Sequence, residues 1–432
     1  MPLYLDEDQS MLRDSAADFM KAEAPVAHLR EYRDKGCKDG FSHDLWKQFA
    51  EMGFTGILVD EADGGLGMGH VEAGIVLEQI GRNLSPSPFL TTAIAGVTAL
   101  KQAGEGLRSR YLPGILSGDT LLSLAIDEGA KHRPGRIAMK AERSGNGFKL
   151  TGKKQFVLHG SSSDMMIVAA RTAGSDTDEE GVTLFAVDPS AAKLDPVRLV
   201  DSSVASHAEF DGVEVDADAV IGEVDAGHSV LAKVLAAGRV GAAAESVGVG
   251  SGAMDMTMEY IRERKQFGVH IGSFQALQHR AAYLYSELEV ARAATLKAQQ
   301  MLDDGSDDAE LMVSVAKAKA GQAALLAVQE GVQMFGGVGM TDEYDIGLYM
   351  KRDRALAETF GDSAYHANRV AELSGSGGER SDDEPERTFR TGRQDRTGHR
   401  RQPRDRSHDR GRPAGSGRRA RLHRGSQERA GR

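Results

Sequence analysis

The 432-residue sequence predicts an α+β chain of several domains: an N-terminal α-helical domain (1–119), a middle β-barrel or β-sandwich (120–225), a C-terminal four-helix bundle (226–373) and a disordered arginine-rich tail (374–432). Three observations predict this. Apolar residues recur at helical spacing up to Ser117-Gly118-Asp119. From Leu121 to Val224 short apolar runs alternate with Gly, Asp and Ser turns, the rhythm of a small all-β unit. From Ala226 onward the chain returns to helical spacing in three long alanine-rich segments.

Residues 5–30 read as an acidic-capped amphipathic helix, with Leu5, Met11, Leu12, Phe19 and Met20 on its apolar face. Ser42 caps a second helix, His43–Glu51, ended by Gly53. A tight loop at Gly64, Gly65 and Gly67 precedes a third helix over 71–80, and helices continue over 89–117. That loop lacks the strand before it that a dinucleotide fingerprint needs. In the middle region LLSLAI, FKLTGKKQFVL, MMIVAAR, VTLFAV and AEFDGVEV read as strands, with a hairpin signal at Asn146-Gly147 and a solvated acidic loop over 175–181. The last helices are placed at 226–264, 273–303 and 307–335, with a turn at Asp303-Asp304-Gly305-Ser306.

Composition narrows the function classes. Cys37 is the single cysteine, which excludes a disulfide framework and fits a reduced, cytoplasmic setting. The sequence contains no run of eighteen apolar residues, and its acidic start is not a signal peptide. P-loop, HExxH, GxSxG and CxxC motifs are absent, and no metal-ligand spacing is found. The net charge of −11 combines a tail near +8, with seventeen arginines and nine acids from Ser374 onward, and a body near −19. The tail has too few large apolar residues to order itself. A nucleic-acid arm would carry aromatics between its arginines; the sudden loss of lysine after Lys351 reads better as translation in a shifted frame, and the tail is assigned no site.

The chemistry-bearing stretch runs from Arg262 to Tyr283. A helix with Met254, Met258 and Ile261 on one face ends in Arg262, Arg264 and Lys265; Gly268 breaks it and Phe274 starts the next. A basic helix end alone reads as a solvated cap. The full spelling Arg264-Lys265-Gln266-Phe267-Gly268, then Phe274-Gln275 and His279, resembles the signature of the acyl-CoA dehydrogenase family. The resemblance covers about residues 3–373. It implies that Arg264, Phe267 and Gln275 hold the FAD of a neighbouring subunit, together with Gln333 and Gly337 of the later Gln333–Met340 glycine-rich turn. It also implies that the middle domain cradles the flavin ring and an acyl thioester, with Phe156 stacking on the ring. His132 and Arg133 fall where the family meets CoA, and Arg239 matches the arginine that opens the first C-terminal helix.

The chemical half of the motif set departs from the family. There a glutamate removes the α-proton of an acyl-CoA while hydride leaves the β-carbon for flavin, so the carboxylate must be ionised and close. Its two usual positions are Gly361 and Gly238 here. Weak substitutes are Asp362 and Glu358, with Glu245 read as an internal hydrogen-bonding residue. Asp127-Glu128-Gly129 replaces the family's Thr-Glu-Pro, and Phe156-Val157-Leu158 replaces Trp-Ile-Thr, so Leu158 offers no hydrogen bond to flavin N5. His159 reads as a loop hydrogen-bonder.

This split resembles the small subunits of heteromeric bacterial acyl-CoA dehydrogenases, such as the pimeloyl-CoA dehydrogenase small subunit. The resemblance implies an FAD-dependent α,β-dehydrogenase of acyl-CoA working with a homologous catalytic subunit in a heterotetramer, or as a homotetramer. It also implies electron-transfer flavoprotein as electron acceptor and neither membrane nor nucleic acid as partner. The alternatives are a self-sufficient enzyme with a displaced carboxylate, and a non-enzymatic acyl-CoA-binding or assembly protein on the same scaffold.

Overall fold

The computed structural model describes residues 3–375. The expected disordered tail therefore lies, from Ser376 on, outside the described residues.

The N-terminal region is helical. The single helix expected over 5–30 is two: α1 (Glu7–Glu23) and α2 (Val26–Asp34), separated at Pro25, which has no N–H to continue the ladder. Asp6 and Gln9 form a reciprocal capping box on α1. α3 (His43–Glu51) has the expected Ser42 cap and ends at Gly53, where φ is +78°. α4 (His70–Asn83) starts under the carboxylate of Asp303, which accepts hydrogen bonds from the backbone N–H groups of His70 (2.8 Å) and Val71 (3.3 Å). α5 (Leu90–Leu100) begins as a π-helix, and α6 (Glu105–Leu116) closes the unit.

Eight strands then form one sheet: β1 (Leu122–Ala125), β2 (Lys140–Ser144), β3 (Gly147–Leu158), β4 (Met165–Arg171), β5 (Val182–Val187), β6 (Lys193–Arg198), β7 (Val204–Val215) and β8 (Val220–Ile221). The order is β6-β7-β3-β2-β4-β5-β8, with β1 parallel to β4. A single pair, Lys140↔Arg171, joins β2 to β4, so the sheet folds there and its halves enclose a core in which Phe148 meets Phe185 at 5.1 Å. The β2–β3 turn is Gly145-Asn146, one residue before the expected signal, because Gly145 takes the positive φ of +57°. β4 is buried along its whole length. Met166, Val168 and Ala170 enter the β-core, while Met165, Ile167 and Ala169 face the helical core.

The C-terminal helices are α7 (Gly227–Glu263), α8 (Gln275–Asp303), α9 (Ala309–Phe335), α10 (Ile346–Glu358) and α11 (Ser363–Leu373). α7 is the hub, packed against α4, α8, α9 and α10. Its glycines let backbones touch: a Cβ on Gly248 would stand 2.0 Å from the carbonyl oxygen of Glu78, and one on Gly81 2.1 Å from that of Glu245. α9 and the turn after it are apolar and long enough to span a bilayer, but more than half of the most apolar eighteen-residue window in that stretch is packed inside the bundle. The Arg262–Tyr283 stretch differs from expectation. The helix ends at Glu263, within one residue of the expected limit, but a small hairpin of β9 (Lys265–Gln266) and β10 (Val269–His270) follows where a plain break at Gly268 was expected. Phe267 and Gly268 form its tip, both at positive φ.

Candidate active site and cofactor surface

The sequence-predicted residues fall into two places. The first is a cavity of about 310 Å³ between β1, the loop after it, the end of β3 and the end of α10. Its apolar wall includes Leu124, Ile126, Phe156, Leu158, Val200 and Phe360. Phe156 reaches it through a bulge: the β3–β7 register slips between Lys154 and Val157, and Phe156 adopts a φ of +54°. That conformation is costly for a bulky residue and re-aims its ring, which meets His207 edge-on at 4.9 Å. Glu128 pins the loop after β1 by accepting hydrogen bonds from the Ala138 (2.8 Å) and Met139 (2.9 Å) N–H groups and from the buried Lys154 ammonium (2.7 Å). Asp127 orders the next turn. It accepts from the backbone N–H of Arg133 (3.0 Å) and pairs with Nδ1 of His132 (2.9 Å). His132 therefore faces the cavity, whereas the Arg133 side chain is exposed and does not line it.

Gly238 and Gly361, the two positions where a base was expected, have no room for a carboxylate side chain. A Cβ on Gly238 would lie 2.8 Å from the ring of Phe360, so that ring fills the space a side chain on α7 would need. Gly361 has φ +105°, and a Cβ there would meet Tyr365 at 2.5 Å. Asp362 caps α11: its carboxylate accepts from the Tyr365 N–H at 2.8 Å, which holds its pKa below the usual carboxylate range. Glu358 lines the cavity and is paired with Lys131 at 2.7 Å. Arg239 is not in the cavity wall; it is buried behind it, donating to the Tyr365 hydroxyl (2.9 Å), with Glu310 at 3.8 Å.

The turn that carries Phe360 is held from below. Lys317 on α9 is buried and donates to the carbonyls of Leu356 (3.0 Å) and Gly361 (3.2 Å). Burial pushes its pKa down to about 8, partly offset by the nearby Asp353, Asp362 and Glu358 carboxylates. Asp353 is itself pushed up to about 6 by burial. Glu245 is internal, as expected. It accepts from Arg352 (Nε, 2.8 Å), whose guanidinium also donates to Asp201 at 2.7 Å, tying α7, α10 and the β6–β7 loop together. Burial, followed by the Arg352 charge, pushes His159 down to about 4 and keeps it neutral; its ring packs edge-on against Phe41 at 5.4 Å.

The second place is the solvent-exposed surface of the C-terminal region. Arg264, Phe267, Gln275, Gln333 and Gly337 are all exposed, and none of them lines the cavity. Phe267, at the hairpin tip, is 90% exposed with φ +55°. A Cβ on Gly336 or Gly337 would meet open space, and Gly336 takes φ +70°. The arginine, the amides and the open glycine backbone are groups that suit phosphate and adenine recognition, presented outward. These residue types fit the nucleotide end of a dinucleotide cofactor.

Family models for the acyl-CoA dehydrogenase N-terminal domain and C-terminal domain match residues 6–119 and 225–374, the helical regions on either side of the sheet. The acyl-CoA dehydrogenase FadE12 of Mycobacterium tuberculosis is 30% identical over 81% of this chain and 91% of its own. The chain belongs to the acyl-CoA dehydrogenase family. Another relative of this acyl-CoA dehydrogenase family member is the caffeyl-CoA reductase-Etf complex subunit CarC of Acetobacterium woodii, 30% identical over 80% of this chain and 92% of that one. Among solved structures, the ChsE4-ChsE5 complex of Mycobacterium tuberculosis matches with a TM-score of 0.77 at 25% identity, covering 87% of this chain and 99% of that one. The three-part architecture of helices, β-sheet and helices is that of this acyl-CoA dehydrogenase fold.

Some site features carry no signal in the sequence. Phe360 and Gly238 are far apart in the chain, and nothing local announces their contact. Lys317 sits in an alanine-rich helix, and nothing beside it in sequence marks it as buried. The Asp127–His132 pairing lies within a short loop where both residues are of the expected polar kind.

Proposed function

We propose that this chain is a subunit of an FAD-dependent acyl-CoA α,β-dehydrogenase that lends nucleotide contacts to the flavin of a homologous catalytic partner, while its own cavity does not desaturate. The carrying observation is the separation of the two residue sets. The five residues matching the family's nucleotide motif are outward and uncommitted, while the base positions are glycines backed by Phe360 and Tyr365. When bound, the flavin supplies the two-electron acceptor for β-hydride. On this reading, Arg264 pairs with a phosphate of the partner's cofactor, Phe267 covers its ring system, and Gln275, Gln333 and the Gly337 backbone contact its nucleotide end. The heteromeric ChsE4-ChsE5 neighbour supports a homologous partner, and the Etf-complex relative supports electron-transfer flavoprotein as acceptor. A cytoplasmic setting fits the same reading.

The self-sufficient alternative needs Asp362 or Glu358 as base. Asp362 is spent as a helix cap and both carboxylates are shared with Lys131, which disfavours proton abstraction by either. Turnover of acyl-CoA by the chain alone, with an artificial electron acceptor and added FAD, tests this. No turnover above the protein-free rate is expected. Sustained turnover overturns the proposal and makes Asp362 and Glu358 the residues to mutate.

A further inference from the structure

We propose that a second pocket, between the N-terminal and C-terminal helices, binds a neutral ligand carrying an amide on an apolar body, recognised by the buried carboxamides of Gln299 and Gln79. Its lining shares no residue with the cavity beside Phe156 or with the exposed Arg264 set, so the proposal stands apart from the subunit reading.

The pocket has a volume of about 650 Å³ and is walled by α4, α7 and α8, with α1 and the residues just before it on one side. That is ample for a small organic ligand, whose sites span roughly 300–1,000 Å³. Val71, Ile75, Val247, Leu288 and Leu296 supply its apolar wall. Gln299 is 4% exposed and Gln79 5%, and neither side-chain amide has a hydrogen-bond partner among the described residues. Both residues line the pocket, and their amide atoms are not sealed off from it. Gly74 makes room for the first of them. A Cβ at Gly74 would stand 1.7 Å from Nε2 of Gln299, so the carboxamide from α8 lies on bare α4 backbone at the pocket wall. A carboxamide carries no titrating proton, and either assignment of its oxygen and nitrogen presents both a donor and an acceptor.

The other polar groups of the wall are committed or stand in water. Arg292 donates to Glu78 (3.0 Å), to Glu289 and to the Ser251 hydroxyl (2.8 Å). Arg82 pairs with Asp255, Arg13 with Asp14, and Thr295 donates to the Ala291 carbonyl at 2.9 Å. Tyr4 and Tyr285 are more than half exposed. The lining arginines, Arg13, Arg82 and Arg292, are balanced by Glu78, Asp255 and Glu289, so the wall offers no net attraction to a charged ligand. Buried donors and acceptors without partners are destabilising, and a ligand that brings both relieves them. An amide brings both on a neutral group; an ester or ketone brings only an acceptor.

The test uses the full chain and three ligands on one skeleton: N-cyclohexylbenzamide, cyclohexyl benzoate and benzylcyclohexane. Dissociation constants are measured by titration calorimetry, and the side-chain NH₂ signals of ¹⁵N-glutamine-labelled chain are followed by NMR. The amide is expected to bind about tenfold more tightly than the ester, the worth of one net hydrogen bond, and to shift two carboxamide signals. Gln299→Leu should lose most of that preference together with one of the two signals, and Gln79→Leu should lose the other signal. Wild-type chain that binds the ester or the hydrocarbon as tightly as the amide overturns the proposal. So does a wild-type spectrum in which no glutamine signal moves, and neither result needs a variant to fold. A folded Gln299→Leu chain that keeps the full preference overturns it too. The complex with the homologous subunit is expected to bind the amide as the free chain does. If that complex excludes the amide, a subunit surface fills the pocket, and this proposal fails while the subunit reading stands.

Discussion

Replacing Arg264 by alanine is expected to weaken flavin binding in the assembled complex about 10- to 100-fold while leaving the melting temperature of this chain unchanged. Arg264 is exposed, and its side chain makes no hydrogen bond or ion pair among the described residues; only its backbone is engaged, with Tyr260 and Ile271. Nothing in the chain's own fold is lost with it. A guanidinium–phosphate contact is charge-assisted and bidentate, worth about 1.5–3 kcal/mol, which gives the expected factor. Arg264→Lys keeps the charge and loses the fork, so it should fall between the two. Flavin retained on desalting, read by absorbance, measures the effect. If Arg264→Ala complexes keep their flavin as tightly as wild type, the exposed motif is not a nucleotide contact.

Arg352→Ala should be the most damaging single substitution for stability, costing about 3–5 kcal/mol. Its two partners, Glu245 and Asp201, have side chains only 3% and 2% exposed. Removing the guanidinium leaves two carboxylates buried without a counter-charge. The loss spreads because α7, α10 and the β6–β7 loop meet at this point. Arg352→Met separates charge from packing: it keeps most of the volume and should be nearly as destabilising. Adding Glu245→Gln and Asp201→Asn to Arg352→Met should recover part of the loss, since the buried charges are then gone. Thermal melts of the series read the effect. A fall of less than a few degrees for Arg352→Ala would show that water reaches these carboxylates.

The fold was largely legible because its signals are local. Ser42 and Gly53 bracket α3, Gly305 ends the α8–α9 turn, and the alanine-rich spacing of 226–264, 273–303 and 307–335 marks helices that end within a few residues of those limits. Pro25 was legible too, as a missing N–H, yet the apolar rhythm runs straight across it. The β9–β10 hairpin was hidden because Phe267 at positive φ defies its own propensity. The same holds for Phe156, whose bulge is set by β7 pairing rather than by its neighbours in sequence. In the site, residue identity showed that Gly238 and Gly361 lack carboxylates, but what fills the space did not follow from it. Only the folded chain brings Phe360 against Gly238 and Lys317 beneath the turn that holds it. Asp362 is a weak substitute base by sequence; its position at the start of α11 makes it a cap.

The central claim is that this chain gives its nucleotide-binding face to another chain and holds no flavin of its own. Flavin stoichiometry tests it most directly: the chain is co-purified with a homologue that keeps the glutamate, and bound FAD is counted against total polypeptide. About half a flavin per chain, with turnover, is the predicted result. One flavin per chain would contradict it, because the cavity beside Phe156 and His132 would then be an occupied flavin site.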